Sequence, residues 1–123
     1  MLNRADIIAF VATTQPERAR PFYEEVLGLP LLADEPFALL FDANGVRLRV
    51  AKVGTLDPAP HTVLGWSVPD IRAAIHQLAT KGVLFERYAG LSQDSAGIWT
   101  SPSGAQVAWF KDPDGNVLSL TQF

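Results

Sequence analysis

The chain has no cysteine. That absence removes disulfides, thiolate catalysis and every cysteine-ligated metal site in one step. Basic runs are missing too, and the formal net charge is −3, so there is no electrostatic footprint for nucleic acid or an anionic membrane. Long hydrophobic runs are also lacking. The stretch Ile7 to Ala12 is six apolar residues, too short for a signal-peptide core or a membrane span, and a cytoplasmic location is the default expectation. No nucleophile elbow, P-loop or dinucleotide fingerprint occurs.

What is present is a globular composition, 48% hydrophobic and 19% charged, well away from that of disordered chains. The 123 residues suit one domain, 1–123, able to bury about two-thirds of its unfolded surface. Within it the sequence repeats. Asp42-Ala-Asn-Gly45-Val-Arg-Leu-Arg-Val50 aligns with Asp112-Pro-Asp-Gly115-Asn-Val-Leu-Ser-Leu120, each an Asp/Asn-Gly turn entering an apolar strand, the usual hairpin chemistry. Ile7 to Thr13 and Thr62 to Val68 likewise align, each before a helix. The offset is 55 residues at the start (7 to 62) and 70 at the end (42 to 112), which places the added length of the second copy in its loops.

Both helices carry start and stop signals. Thr14-Gln-Pro-Glu17 reads as a capping box with Pro16 in the first turn. Ala19, Phe22, Tyr23, Val26 and Leu27 make one apolar stripe, and Gly28 ends it. Pro21 removes the bond to the Glu17 carbonyl, a loss of about 3 kcal/mol in a helix interior, which predicts a kink or a short 3₁₀ turn. The second helix starts near Asp70, buries Ile71, Ala74, Ile75 and Leu78, and stops at Gly82. His76 lies off that stripe and reads as solvated.

Strand-like runs are Leu31 to Ala33, Ala38 to Asp42, Val46 to Val53, Leu84 to Tyr88, Gly97 to Ser101, Gln106 to Phe110 and Asn116 to Gln122, besides the two that precede the helices. The order reads as βαβββ twice: module 1 about 4–53, a proline-stiffened linker 54–61, and module 2 about 62–123. This is an α+β pattern. In such modules one sheet face packs on the helix and the other curls into an open cup.

Pro21-Phe-Tyr-Glu-Glu-Val-Leu-Gly28 and Lys111-Asp-Pro-Asp-Gly-Asn116, in this order inside a repeat, resemble the two signatures of the vicinal oxygen chelate superfamily of glyoxalases, bleomycin resistance proteins and extradiol dioxygenases. The resemblance covers Ala5 to Phe123. It implies an eight-stranded curved mixed sheet forming a cup, with one helix per module outside. In metal-dependent members it further implies four ligands facing the cup, usually His or Gln, Glu or Gln, His and Glu. By position these fall on Ile8, Arg49, Val63 and Ser119. Ile and Val have no lone pair, Arg is a permanent cation, and a neutral Ser hydroxyl is a poor lone anchor. The expectation is therefore no metal and no other cofactor.

The cup side is expected to carry Ile8, Phe10, Val63 and Gly65 as an apolar floor. Arg47 and Arg49 share it, while Val46, Leu48, Val50 and Trp66 pack on the helix side. Arg49 reads either as the anchor for an anionic or carbonyl-bearing ligand or as the partner of Asp6 in a salt bridge. Arg47 reads as a rim residue. Trp99 and Trp109 suit stacking on an aromatic ligand, although core packing is the commoner role of large aromatics. His61 reads as an exposed loop residue beside the strand. Tyr88 to Gly97 reads as a mobile flap or a solvated loop.

The resulting expectation is a metal-independent homodimer that binds a small apolar or aromatic molecule carrying an anionic or carbonyl group, through Ile8, Phe10, Arg47, Arg49, Val63, Gly65, Trp99, Trp109 and Ser119. An enzyme is disfavoured. The alternatives are a metal-dependent or cofactor-free lyase, isomerase or dioxygenase of the same superfamily, and an interaction module with a vestigial cup.

Overall fold

Alternation along Ile8–Thr13 builds the first strand, which buries Val11 and Thr13 and leaves Ile8 and Phe10 on the other side, as a side-chain period of two requires. The computed structural model describes all 123 residues, in two units, Met1–Asp57 and Pro58–Phe123. The first holds β1 (Ile8–Thr13), α1 (Pro16–Pro21), β2 (Leu31–Asp34), β3 (Ala38–Ala43) and β4 (Val46–Lys52). The second holds β5 (Thr62–Ser67), α2 (Ile71–Ala79), β6 (Trp99–Thr100), β7 (Gln106–Lys111) and β8 (Val117–Gln122).

The expected eight strands are present, distributed four and four, in the orders β1-β4-β3-β2 and β5-β8-β7-β6. In each sheet the first strand runs parallel to the last and the remaining pairs are antiparallel. The chain is thus α+β, with βαβββ order repeated. No helix is long and apolar enough to cross a membrane.

The first helix departs from its sequence signals at both ends. Its N-cap is Gln15, with no side-chain cap bond. Thr13, the last residue of β1, has its hydroxyl under the helix start, where it accepts from the Gln15 N–H at 3.0 Å. After Pro21 the chain forms a π turn over Phe22–Val26, not the expected kink or 3₁₀ turn, closed by Leu27 N–H donating to the Phe22 carbonyl at 2.9 Å. A proline without an N–H breaks the α ladder, and a wider turn absorbs the break. Tyr23 is thereby carried fully inside against Phe41, ring centroids 5.8 Å apart. Burial of each such side chain contributes about 1.5–3 kcal/mol.

Asp70 caps α2 as expected, its carboxylate accepting from Ala73 N–H at 3.1 Å. Ile71 and Ile75 are buried, and Gln122 Oε1 accepts from Ile71 N–H at 2.9 Å, fastening the helix to β8. Trp66, half-buried, stacks on Phe110, centroids 6.5 Å apart, and Phe110, Ile98, Leu118 and Leu120 are buried.

Leu84–Tyr88, the one strand-like run in excess of eight, is not a strand. Phe85 makes an isolated bridge with Phe110, and Glu86 N–H donates to the Trp109 carbonyl at 2.8 Å. The Gln93 side chain occupies backbone groups that a further ladder would need: it accepts from Tyr88 N–H at 2.8 Å and donates to the Glu86 carbonyl at 3.0 Å. β6 is shorter than Gly97 to Ser101. Gly97 takes a positive φ of 90°, and Ser101 already belongs to the turn that closes on Ala105, N–H to carbonyl 2.8 Å.

Candidate functional site

The first sheet buries one face and leaves the other open, while the second is open on one face only toward its edges, β8 being buried on both. In the first unit Leu39, Phe41, Leu48 and Val50 are buried. Across the opposite face, Ile8 stands beside Arg47 and Arg47 beside Asp42; the next row is Phe10, Arg49, Leu40. Ile8 and Phe10 are 52% and 58% exposed. Val46, expected on the buried face, is 38% exposed because it starts its strand at the hairpin tip.

Arg49 is half-buried between Phe10 and Leu40, and no ion pair or hydrogen bond engages its guanidinium. The salt bridge to Asp6 is absent. Arg47 is exposed and borders a depression of about 310 Å³ with Asp6, Ile7, Ile8 and Gly45. Its register neighbour Asp42 is engaged elsewhere, accepting from Gly45 N–H at 2.8 Å to close the hairpin.

In the second unit the open face carries Gly65, Ser119, Trp109 and Trp99, with Gly65 opposite Ser119 and Ser119 opposite Trp109. Val63 sits at a register shift between Thr62 and Leu64 and is 40% exposed. Ser119 is buried, 6% exposed. Trp99 and Trp109 are half-buried, with centroids 6.2 Å apart. They lie on the face of the sheet that carries Gly65 and Ser119, opposite to that of Ala108 and Phe110.

Beside Trp109 is an open cleft of about 460 Å³ lined by Pro60, His61, Thr62, Tyr88, Trp109 and Val117, within the size range of small-molecule pockets. The Tyr88 ring meets Trp109 edge-on, centroids 5.5 Å apart at 86°. Burial pushes the Tyr88 phenol pKa up, with Glu86 acting the same way and Lys111 against it. Tyr88 is therefore a neutral O–H at ordinary pH. His61 is exposed, and its Nδ1 lies 3.1 Å from the Thr62 carbonyl oxygen.

The segment expected as a flap or solvated loop is a hydrogen-bonded structure. Asp94 Oδ1 accepts from Ala96 N–H and Ile98 N–H at 3.0 and 2.9 Å. Arg72 of α2 pairs with Asp94 at 2.6 Å, and Arg87 donates to the Asp94 and Ser95 carbonyls at 2.7 and 2.8 Å. Two carboxylate bonds from backbone N–H groups hold Asp94 below the usual carboxylate range.

Sequence reasoning missed Tyr88, Thr62, Pro60 and Val117 as cleft residues and set His61 aside. Their signal was weak, because the cleft wall is made by the last residue of the false strand, the linker's end and the first residues of β5 and β8. The sequence-expected residues gather as two sets: Ile8, Phe10, Arg47 and Arg49 on the first open face, and Val63, Gly65, Trp99, Trp109 and Ser119 on the second unit's sheet.

The donor set does not fit a divalent metal. No three His, Cys, Asp or Glu side chains stand together as a metal-holding group. Ile8, Arg49, Val63 and Ser119, at the four positions where the superfamily's metal ligands fall, offer only one neutral hydroxyl among them.

Residues 4–120 match the family model of the Glyoxalase/Bleomycin resistance protein/Dioxygenase superfamily. Similar solved structures include a lactoylglutathione lyase from Agrobacterium tumefaciens at 15% identity and a TM-score of 0.74, covering 96% of this chain and 93% of that one. Another is TnmS3, an antibiotic binding protein from Streptomyces sp. CB03234, at 24% identity and 0.68, covering 97% of each. A third is a bleomycin resistance determinant encoded on the transposon Tn5, at 18% and 0.74, covering 95% and 96%. At these identities the likeness is one of fold. No curated protein sequence matches significantly.

Proposed function

Because the chain belongs to the glyoxalase/bleomycin resistance protein/dioxygenase superfamily, we propose that it is a metal-independent binding protein for an aromatic, antibiotic-like small molecule. The observation that carries this reading is the cleft in which Tyr88 and Trp109 meet edge-on. An open aromatic wall binds flat apolar rings through dispersion and offset or edge contacts, each worth about 0.5–1.5 kcal/mol beyond area burial. An antibiotic-binding protein and a bleomycin resistance determinant among the similar folds agree with it.

The first unit offers a separate polar feature in Arg49. An unpaired guanidinium flanked by Phe10 and Leu40 favours an anionic or carbonyl-bearing ligand on the first open face. Two exposed apolar residues on that face, Ile8 and Phe10, support a homodimer. A chain without cysteine suits the reducing cytoplasm.

One observation favours catalysis instead: His61, an imidazole able to act as a base, lines the same cleft. In a cofactor-free isomerase His61→Gln abolishes turnover and spares binding; in a binding protein there is no turnover to lose.

Naphthamide, a neutral flat probe, tests the reading by nuclear magnetic resonance. The chain has three tryptophans. The indole N–H signals of Trp99 and Trp109 should shift saturably, while that of Trp66, stacked on Phe110 on the opposite face of the sheet, should not. Uniform shifts of all of them, or none, reject the cleft.

A further inference from the structure

Trp109 carries two ring contacts, from Tyr88 at 5.5 Å and from Trp99 at 6.2 Å. Trp109 is fixed by its place in β7, between β6 and β8. Tyr88 has no such support, since it lies outside every strand. Its N–H is held by a side chain, Gln93 Oε1 accepting at 2.8 Å, its carbonyl accepts from Leu91 N–H at 3.2 Å, and two residues before it Glu86 N–H donates to the Trp109 carbonyl at 2.8 Å. The Gln93 amide group donates from Nε2 to the Glu86 carbonyl at 3.0 Å and to the Gly97 carbonyl at 2.8 Å. Gln93 also forms an isolated backbone bridge with Trp99. One residue thus contacts the segments bearing both rings that flank Trp109.

We infer that Gln93 is the positioning residue of the aromatic cleft, fixing Tyr88 against Trp109 so that the wall exists before a ligand arrives. The consequence for binding rests on the proposed function; the consequence for the rings does not. Both Nε2 hydrogens and one oxygen lone pair are used, so the amide has a single orientation that satisfies its neighbours. A glutamate keeps the acceptor for Tyr88 but turns a carboxylate oxygen toward two carbonyls. A methionine keeps the length and loses every bond. Preorganised walls bind tighter because ordering is completed before association.

The test uses Gln93→Met, Gln93→Glu, Tyr88→Leu, the double variant Gln93→Met/Tyr88→Leu, and Arg72→Met. The last removes the Arg72–Asp94 pair from the same segment and leaves the Gln93 bonds in place. In ligand-free protein, Gln93→Met should reduce the near-ultraviolet circular dichroism of the tryptophans as far as Tyr88→Leu does, and Arg72→Met should not. Naphthamide Kd should rise about tenfold in Gln93→Met, mostly through faster dissociation. In the Tyr88→Leu background the same change should add nothing, because Gln93 acts through Tyr88.

A Gln93→Met variant that melts earlier yet keeps the wild-type aromatic spectrum overturns the inference, as does an additive loss in the double variant. If Gln93→Met does not fold, Gln93→Glu and slow exchange of the Gln93 amide protons in wild-type protein decide it, fast exchange being the contrary result. Failure of naphthamide to bind wild-type protein rejects the proposed function, while the ligand-free spectra still decide the role of Gln93.

Discussion

Gly65 stands so close to Ser119 across the parallel pair β5–β8 that a Cβ on Gly65 would lie 2.8 Å from the Ser119 hydroxyl oxygen. A Cβ at this position requires the Ser119 hydroxyl to turn away from its place. Gly65→Ala should destabilise the fold by about 1–3 kcal/mol, the usual cost of overpacking. Ser119→Ala should rescue it, because the next nearest atom, the Ser119 carbonyl oxygen, is 3.4 Å away. Urea unfolding of the single and double variants measures the coupling. Equal losses with and without the hydroxyl contradict the contact.

Asp94 makes one segment of the chain acid-sensitive. Its pKa is lowered chiefly by the bond from Ile98 N–H, with burial opposing and Arg72 and Ala96 N–H adding. A carboxyl group depressed in the fold contributes stability that is complete above its unfolded pKa and fades as pH falls through the folded one. Loosening of the segment, followed by Trp99 emission, should therefore have its midpoint below the ordinary aspartate range. Arg72→Met should move that midpoint up, and Asp94→Asn should abolish the transition. A transition near neutral pH, or one that survives in Asp94→Asn, contradicts the assignment.

The sequence was most readable where chemistry is local. The Asn44-Gly45 turn needs two positive φ values and has them, 52° and 89°. Asp70 caps its helix through its own carboxylate, and alternation in Val46–Lys52 correctly separates Leu48 and Val50 from Arg49. It was least readable where a distant side chain decides. Leu84–Tyr88 has strand composition, but Gln93 takes the backbone groups of Glu86 and Tyr88. Nothing in the local pattern announces that. Pro21 announced a break but not the π turn that follows it, since the turn's width depends on where Tyr23 must pack. The two tryptophans have the same periodicity whether they face a core or a cleft, and only sheet register assigns the face.

Arg49 should discriminate ligands by charge. Arg49→Met keeps the stem's packing and deletes the donors. A bond to a charged group is worth about 1.5–3 kcal/mol, so naphthoate held on the first unit's open face should bind about tenfold or more weakly. Naphthamide, its neutral isostere, should be nearly unaffected. Equal losses for both probes in calorimetry would mean that the change disturbed the fold and not a charge contact.

Pairing of two chains should cover Ile8 and Phe10, which are 52% and 58% exposed. Stable interfaces bury about 1,200–2,000 Å² in total. Light scattering during size exclusion should give twice the 13.4 kDa chain mass, and Phe10→Lys should shift the protein toward the monomer. A wild-type monomer at micromolar concentration contradicts the pairing.

Binding of an aromatic molecule in the Tyr88–Trp109 cleft should need no metal. Fluorescence titration of wild-type protein with naphthamide, with and without excess EDTA, tests it most directly. Quenching should be saturable, with the same Kd in both buffers, and lost in Trp109→Ala. Binding that vanishes with EDTA and returns with zinc, nickel, manganese or iron would contradict it, as would quenching that never saturates.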